Sequence, residues 1–212
     1  MHPDSGQFLL AMVGQGEIYS RIEINFVRKM SDLKTLAKWS VDDYHRMISS
    51  GILRDRRVEL LAGEIVEMSP ETPIHYNTAK RGAKYLEHLL AGRAEIRFNA
   101  PITLADSEPE PDIAIVRLPN SAYNDRHPNS DDIFLLIEVA KTSLKKDLDL
   151  KASIYATAKI QEYWVLDLSA KRIIVFRQPQ SDRYATKQVV SDGSITPLAF
   201  PDVEILIETL FA

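Results

Sequence analysis

The segment DDIFLLIEVAKTS, residues 131–143, places Glu138 among Ile133, Phe134, Leu135, Leu136, Ile137 and Val139. The run is apolar on both faces, so it reads as a central strand covered from two sides. An ionised carboxylate in such a strand loses hydration worth several kcal/mol unless a cation or a set of donors replaces the water. Glu138 therefore needs a partner. An Arg or Lys of a neighbouring element, solvent at the strand's end, and a divalent metal ion are all open at this point.

Asp112 favours the metal. It stands at the start of the preceding strand, in EPDIAIV, residues 110–116. If the two strands pair, both carboxylates converge near one edge of the sheet. Two acids a few ångströms apart repel, raise one another's pKa and are stabilised by a hard cation such as Mg²⁺, which accepts carboxylate oxygens, a backbone carbonyl and waters. Taken alone, Asp112 after Pro111 reads more readily as a turn or strand-start residue.

Composition restricts the rest. The chain has 212 residues, enough for one well-buried core, and a composition of 45% hydrophobic and 26% charged residues, as in ordinary globular proteins. No apolar segment approaches the roughly 20 residues of a membrane helix, so no membrane partner is expected. Cysteine is absent, which removes disulfides, thiolate chemistry and cysteine-ligated zinc. A cytoplasmic location is the default expectation. With a net charge of −4, nucleic acid would have to be met by a local basic patch. Residues 1–29 lack the charged and apolar regions of a secretory signal and read as an extension, with one domain over residues 30–212.

Working outward, Ser40 and Asp43 form a capping box ahead of a short helix that stops at Gly51. RRVELLAGEIVEMS alternates on both sides of Ala62-Gly63, the pattern of a β-hairpin closed by Pro70 and Pro73. Ala79, Ala83, Leu86, Leu89 and Leu90 recur at helical spacing from His75 to Leu90. Three strand candidates follow, EIRFNAPITL, PDIAIVRL and IFLLIEVA. KKDLDLKASIYATA then reads as a helix with Leu148, Ala152, Tyr155 and Ala158 on one face, and EYWVLDL as a buried strand. KRIIVFRQ and RYATKQVV form a second hairpin around PQSD, and VEILIETLF is a terminal strand or short helix. The order is helix, three strands, helix, strand: an α/β fold with a mixed central sheet flanked by helices, an added N-terminal helix and hairpins.

Pro111-Asp112, LLIEVA with Glu138, and DLDLK ending at Lys151 resemble the PD-(D/E)XK nuclease superfamily, and specifically its Uma-two (DUF820) family of restriction-endonuclease-like proteins. The likeness runs from about Leu36 to the C-terminus and includes VELLAGEIVEMSP and His75. It implies a restriction-endonuclease-like core and a metal-dependent endonuclease hydrolysing DNA phosphodiester bonds. Asp112, Glu138 and the Val139 carbonyl would hold Mg²⁺, with Mn²⁺ as substitute, and Lys151 would orient water or neutralise phosphoryl charge.

One departure is evident: Ala140 stands where the superfamily's name calls for lysine. The resemblance implies Lys151 as its replacement, whereas alternation sends Lys141 to the Val139 face; without the family, Lys151 is equally a solvated helix lysine. Glu59 resembles a recurrent family acid and is either a further catalytic acid or an exposed strand residue. His75 reads as a cap or hydrogen-bonder, and His2, His45, His88 and His127 form no ligand spacing. KTSLKK, residues 141–146, and Lys80, Arg81 and Lys84 are candidate contacts to the DNA backbone. A homodimer would bring two sites to two strands. A catalytically silent nuclease-like module that binds nucleic acid or protein, and an oligomeric protein with a structural Glu138 ion pair, are the competing readings.

Overall fold

Strand β5, Ile133–Ala140, lies inside a six-stranded sheet whose strands neighbour one another in chain order. The computed structural model describes residues 36–211, and of these residues 39–211 belong to one compact unit. The proposed extension over residues 1–29, and a domain start at residue 30, lie outside the described residues.

Ahead of the sheet come α1 (Val41–Ser49), the hairpin β1 (Val58–Leu61) and β2 (Glu64–Glu67), and α2 (Pro73–Leu89). The sheet strands are β3 (Glu95–Phe98), β4 (Ile113–Val116), β5, β6 (Glu162–Asp167), β7 (Arg172–Gln180) and β8 (Arg183–Val190). β5 runs antiparallel to β4 and parallel to β6, and the other neighbouring pairs are antiparallel, so the sheet is mixed. The parallel pair requires a crossover, supplied by the helical segment of α3 (Leu144–Lys146), a π turn (Asp147–Lys151) and α4 (Ala152–Thr157). A small β9 (Ser194–Ile195) and β10 (Ile205–Leu206) pair and α5 (Ile207–Phe211) follow.

Two hydrophobic layers sandwich the sheet. Leu135, Ile137 and Val139 pack with Ala79, Ala83, Leu86 and Leu90 of the α2 region and with Ile207 and Leu210. Leu136 and Ala140 face the other way, toward Ala152, Ile154, Tyr155, Ile102 and Leu104. Alternation puts Glu138 in this second layer, beneath the crossover.

Most expected elements form. The capping box is present, with Ser40 Oγ accepting from the Asp43 amide at 3.1 Å. The hairpin turns at Ala62 (φ 49°) and Gly63 (φ 75°), both left-handed as the tightest hairpin turns require. Alanine tolerates that conformation here because the Ala62 and Gly63 amides donate to Ser107 Oγ and the Asp106 carbonyl, each at 2.8 Å.

Several boundaries are corrected. EIRFNAPITL is a strand only to Phe98: Asn99 takes φ 45°, and Ile102 and Leu104 descend into the second layer instead of extending the ladder. Pro73 opens α2 at its first turn, with Thr72 Oγ1 capping the His75 amide. In the crossover, the π turn carries Asp147 and Lys151 to the buried side, so Leu148 is only half-buried and Leu150 is exposed. VEILIETLF combines both alternatives, a two-residue strand and then a helix.

Candidate active site

β4 begins at Ile113, which pairs with Ile137. Pro109 and Pro111, lacking N–H groups, cannot extend its ladder. The Val139 amide of β5 is therefore left beyond the end of β4, and Asp112 Oδ2 accepts from it at 2.6 Å. The bond fixes the Asp112 carboxylate beside Glu138, on the same face of the sheet.

Glu138 and Lys151 are each nearly inaccessible, at 4% and 3% exposure. Lys151 Nζ stands 2.9 Å from Glu138 Oε1 and 3.2 Å from Glu59 Oε2. Tyr155, one helical turn on, donates to the same Glu138 Oε1 at 2.9 Å. Lys146 Nζ holds Glu59 Oε1 at 2.9 Å. The π turn, a form that recurs at functional sites, thus directs Asp147 and Lys151 inward together.

Burial pushes the Glu138 carboxyl up to about 8, with the Asp112 and Asp147 charges adding to the rise and the Lys151 ammonium opposing it. Burial also disfavours the Lys151 ammonium, but Glu138 and Glu59 more than offset this and hold it above the usual lysine range. Lys151 therefore keeps its charge, and the shortfall of charge falls on Glu138. Burial raises the Glu59 carboxyl too, yet Lys151 and Lys146 together bring it below its ordinary value.

All five residues singled out in the sequence, Glu59, Asp112, Glu138, Val139 and Lys151, line one cleft. Glu59 is fully buried, so the exposed-strand reading is wrong: its strand is covered by the crossover and by Glu108, which bridges to Leu60. The solvated-lysine reading of Lys151 fails for the same reason. Lys141 lies past the end of β5, where alternation no longer governs, and it lines the cleft rim as an exposed cation. Of the other candidate DNA contacts, Lys145 pairs with Asp149 and Lys146 with Glu59, whereas Lys80, Arg81 and Lys84 lie exposed on α2.

Sequence reasoning understated three residues. His75 Nε2 lies 3.2 Å from Asp112 Oδ2, and its buried Nδ1 has no partner. Burial lowers its pKa, but the hydrogen bond and charge of Asp112 outweigh that and raise it. Asp147 and Tyr155 were visible only as members of a helical pattern. Periodicity signals the burial of Tyr155 but not of Asp147, because the π turn breaks the period ahead of α4.

Asp112 and Glu138 are carboxylates that could hold a divalent cation. Among the described residues no protein donor engages Asp112 Oδ1 or Glu138 Oε2, although both carboxylates line the cleft. Nor do three or more acidic or histidine side chains of the described residues converge as a closed cage. Mg²⁺ is commonly held by one or two carboxylates with water and substrate phosphate completing its shell. The cleft has about 80 Å³ of free space, room for a few water molecules.

A mixed sheet with two acids at the end of adjoining strands, and a lysine on the crossover facing them, is a restriction-endonuclease-like architecture. The family described as "Uma2: Putative restriction endonuclease" matches residues 41–208, and the chain belongs to that family. The fold is similar to that of a crystal structure described as "a putative nuclease belonging to DUF820 from Anabaena variabilis", with a TM-score of 0.57 and 17% identity. That match covers 73% of this chain and 89% of the other. No curated protein matches the chain. Among the described residues no helix is long and apolar enough to cross a membrane.

Proposed function

We propose that the protein is a Mg²⁺-dependent endonuclease, with Mn²⁺ as substitute ion, that hydrolyses DNA phosphodiester bonds. The observation that carries this reading is the convergence of Asp112, Glu138 and Lys151 in one cleft, with one oxygen of each carboxylate left without a donor among the described residues. Asp112 and Glu138, with the Val139 carbonyl, would hold the ion. When bound, such an ion polarises the phosphate and lowers the pKa of an attacking water.

The chain's own groups do the rest. The Val139 amide and His75 hold the Asp112 carboxylate through Oδ2, so that among the described residues Oδ1 has no protein donor. Tyr155 and Lys151 both occupy Glu138 Oε1, and among the described residues Oε2 has none. Lys151, charged and clamped between Glu138 and Glu59, would stabilise negative charge developing on the phosphoryl oxygens. Lys141 at the rim would contact the DNA backbone. A homodimer would present two such clefts to two strands.

The Glu138–Lys151 pair also favours a second reading, a catalytically silent module in which Lys151 serves in place of a cation. Calorimetric titration of Mg²⁺ and Mn²⁺ into wild type and Glu138→Ala, followed by incubation with supercoiled DNA, separates the two. Metal binding and nicking in wild type, both lost in the variant, support the nuclease. Absence of metal binding by a folded wild type leaves the silent module.

A further inference from the structure

Away from the cleft, a second cavity lies against the edge strand β3, lined by Arg97, Arg126, His45, His127, Asn124 and Asn129. Arg97 is half-buried, and its Nε is buried without a hydrogen-bond partner. Among the described residues no carboxylate or carbonyl accepts from it. The other half-buried or buried ion pairs of the fold are closed, as in Arg177 with Glu162 at 2.6 Å and Arg172 with Asp167 at 3.0 Å. A half-buried guanidinium without an anion is the exception that calls for an external partner.

Two of the three acids around the cavity are already taken. Glu108 is held by His45 at 2.8 Å and by Thr103 Oγ1 at 2.6 Å, and Asp132 by Arg126 at 2.5 Å. Asp125, also on the lining, is exposed at the rim. The Tyr123 ring lies 5.6 Å from the Arg97 guanidinium and 5.2 Å from that of Arg126. Its hydroxyl is anchored on the Arg117 carbonyl at 2.7 Å, so the ring is a fixed support for two cations.

The cavity also shares the cleft's side of the sheet. Arg97 pairs in register with Ala114, and Asp112 lies two residues back on the same face, a diagonal neighbour about 7–8 Å away between Cα atoms. We propose that the Arg97 cavity is an anchoring site for a backbone phosphate of the nucleic-acid strand whose scissile bond enters the cleft. Arg97 supplies the planar donor fork suited to phosphate oxygens, and the Asn124 and Asn129 amides stand at the rim. This inference rests on the nuclease reading.

The test is fluorescence anisotropy of a labelled duplex in EDTA, where no cleavage occurs, across a salt series, with Mg²⁺ calorimetry on the same proteins. Arg97→Gln should weaken DNA binding about three- to tenfold and flatten the salt dependence by about 0.9 in log–log slope. Arg97→Lys should recover part of the loss, and metal binding should be unchanged in both. Asn124→Asp, at an exposed position, adds a negative charge at the rim without removing packing and should also weaken binding. Wild-type affinity and slope in Arg97→Gln and Asn124→Asp would overturn the anchoring site while leaving the nuclease reading in place. A wild type that binds metal but no duplex or single-stranded DNA at low salt would overturn both the anchoring site and DNA as the substrate.

Discussion

Lys151 Nζ and Glu138 Oε1 lie 2.9 Å apart in a cleft wall where neither side chain is more than 5% exposed. Above about pH 8, where Glu138 is ionised, removing Lys151 leaves that charge buried and uncompensated. At pH 9 Lys151→Met should therefore destabilise the fold by about 3–5 kcal/mol, read from urea denaturation. Lys151→Met combined with Glu138→Gln should recover much of that loss while remaining inactive on DNA. Equal instability of the single and double variants would show that the lysine acts through packing.

The Glu138 carboxyl gives a pH dependence of defined sign. Its folded pKa, about 8, stands above the ordinary 4.5. The neutral acid is favoured by folding, so its contribution to stability is fully present below about pH 4.5 and is lost as pH rises through about 8. In EDTA, the melting temperature of wild type should fall from pH 6 to pH 9 more steeply than that of Glu138→Gln. Parallel curves would place the titration elsewhere. Metal binding at pH 7 should release protons, seen as a buffer-dependent calorimetric enthalpy.

Asp112 is held by the Val139 amide at 2.6 Å and by His75. Asparagine can keep the acceptor for that amide but not the charge. Asp112→Asn should melt near wild type while DNA cleavage falls by about 10²–10³, the loss typical of a single charge-stabilising group. Cleavage at the wild-type rate would remove Asp112 from the site.

Tyr155 is fully buried, and burial with the neighbouring Glu138 charge keeps its phenol protonated. Tyr155→Phe deletes a donor to Glu138 while leaving Lys151 in place. The expected cost is about 1–3 kcal/mol of stability, together with weaker Mg²⁺ binding at pH 7 that recovers at higher pH. Affinity that stays unchanged across pH would mean that Tyr155 does not tune the carboxyl.

Particular residues show what was legible in the chain. Glu138 announced itself because a carboxylate in a two-sided apolar strand is costly wherever that strand packs, and Asp112 followed because Pro111-Asp112 opens the strand before it. The α2 helix was equally clear, since its buried face repeats at helical spacing. The EIRFNAPITL strand was overextended because the pattern continues past Phe98 while the left-handed turn at Asn99 depends on surroundings that a pattern does not contain. Glu59 could not be placed at all: buried and exposed readings fit the same alternating hairpin.

The sequence by itself determined the order of elements, the buried strand and the pairing of Glu138 with Asp112, because local periodicity and the cost of a buried charge act along the chain; Lys151 joined that set only through the resemblance to the family. Only the tertiary structure decided which carboxylate oxygens of that set lack a donor among the described residues. Lys151 reaches Glu138 through a π turn, Glu59 arrives from a separate hairpin, and the Val139 amide turns Asp112. Contacts between groups 13 to 92 residues apart in the chain, as from Lys151 to Glu138 and to Glu59, are set by how the layers close. No short-range pattern encodes that closure.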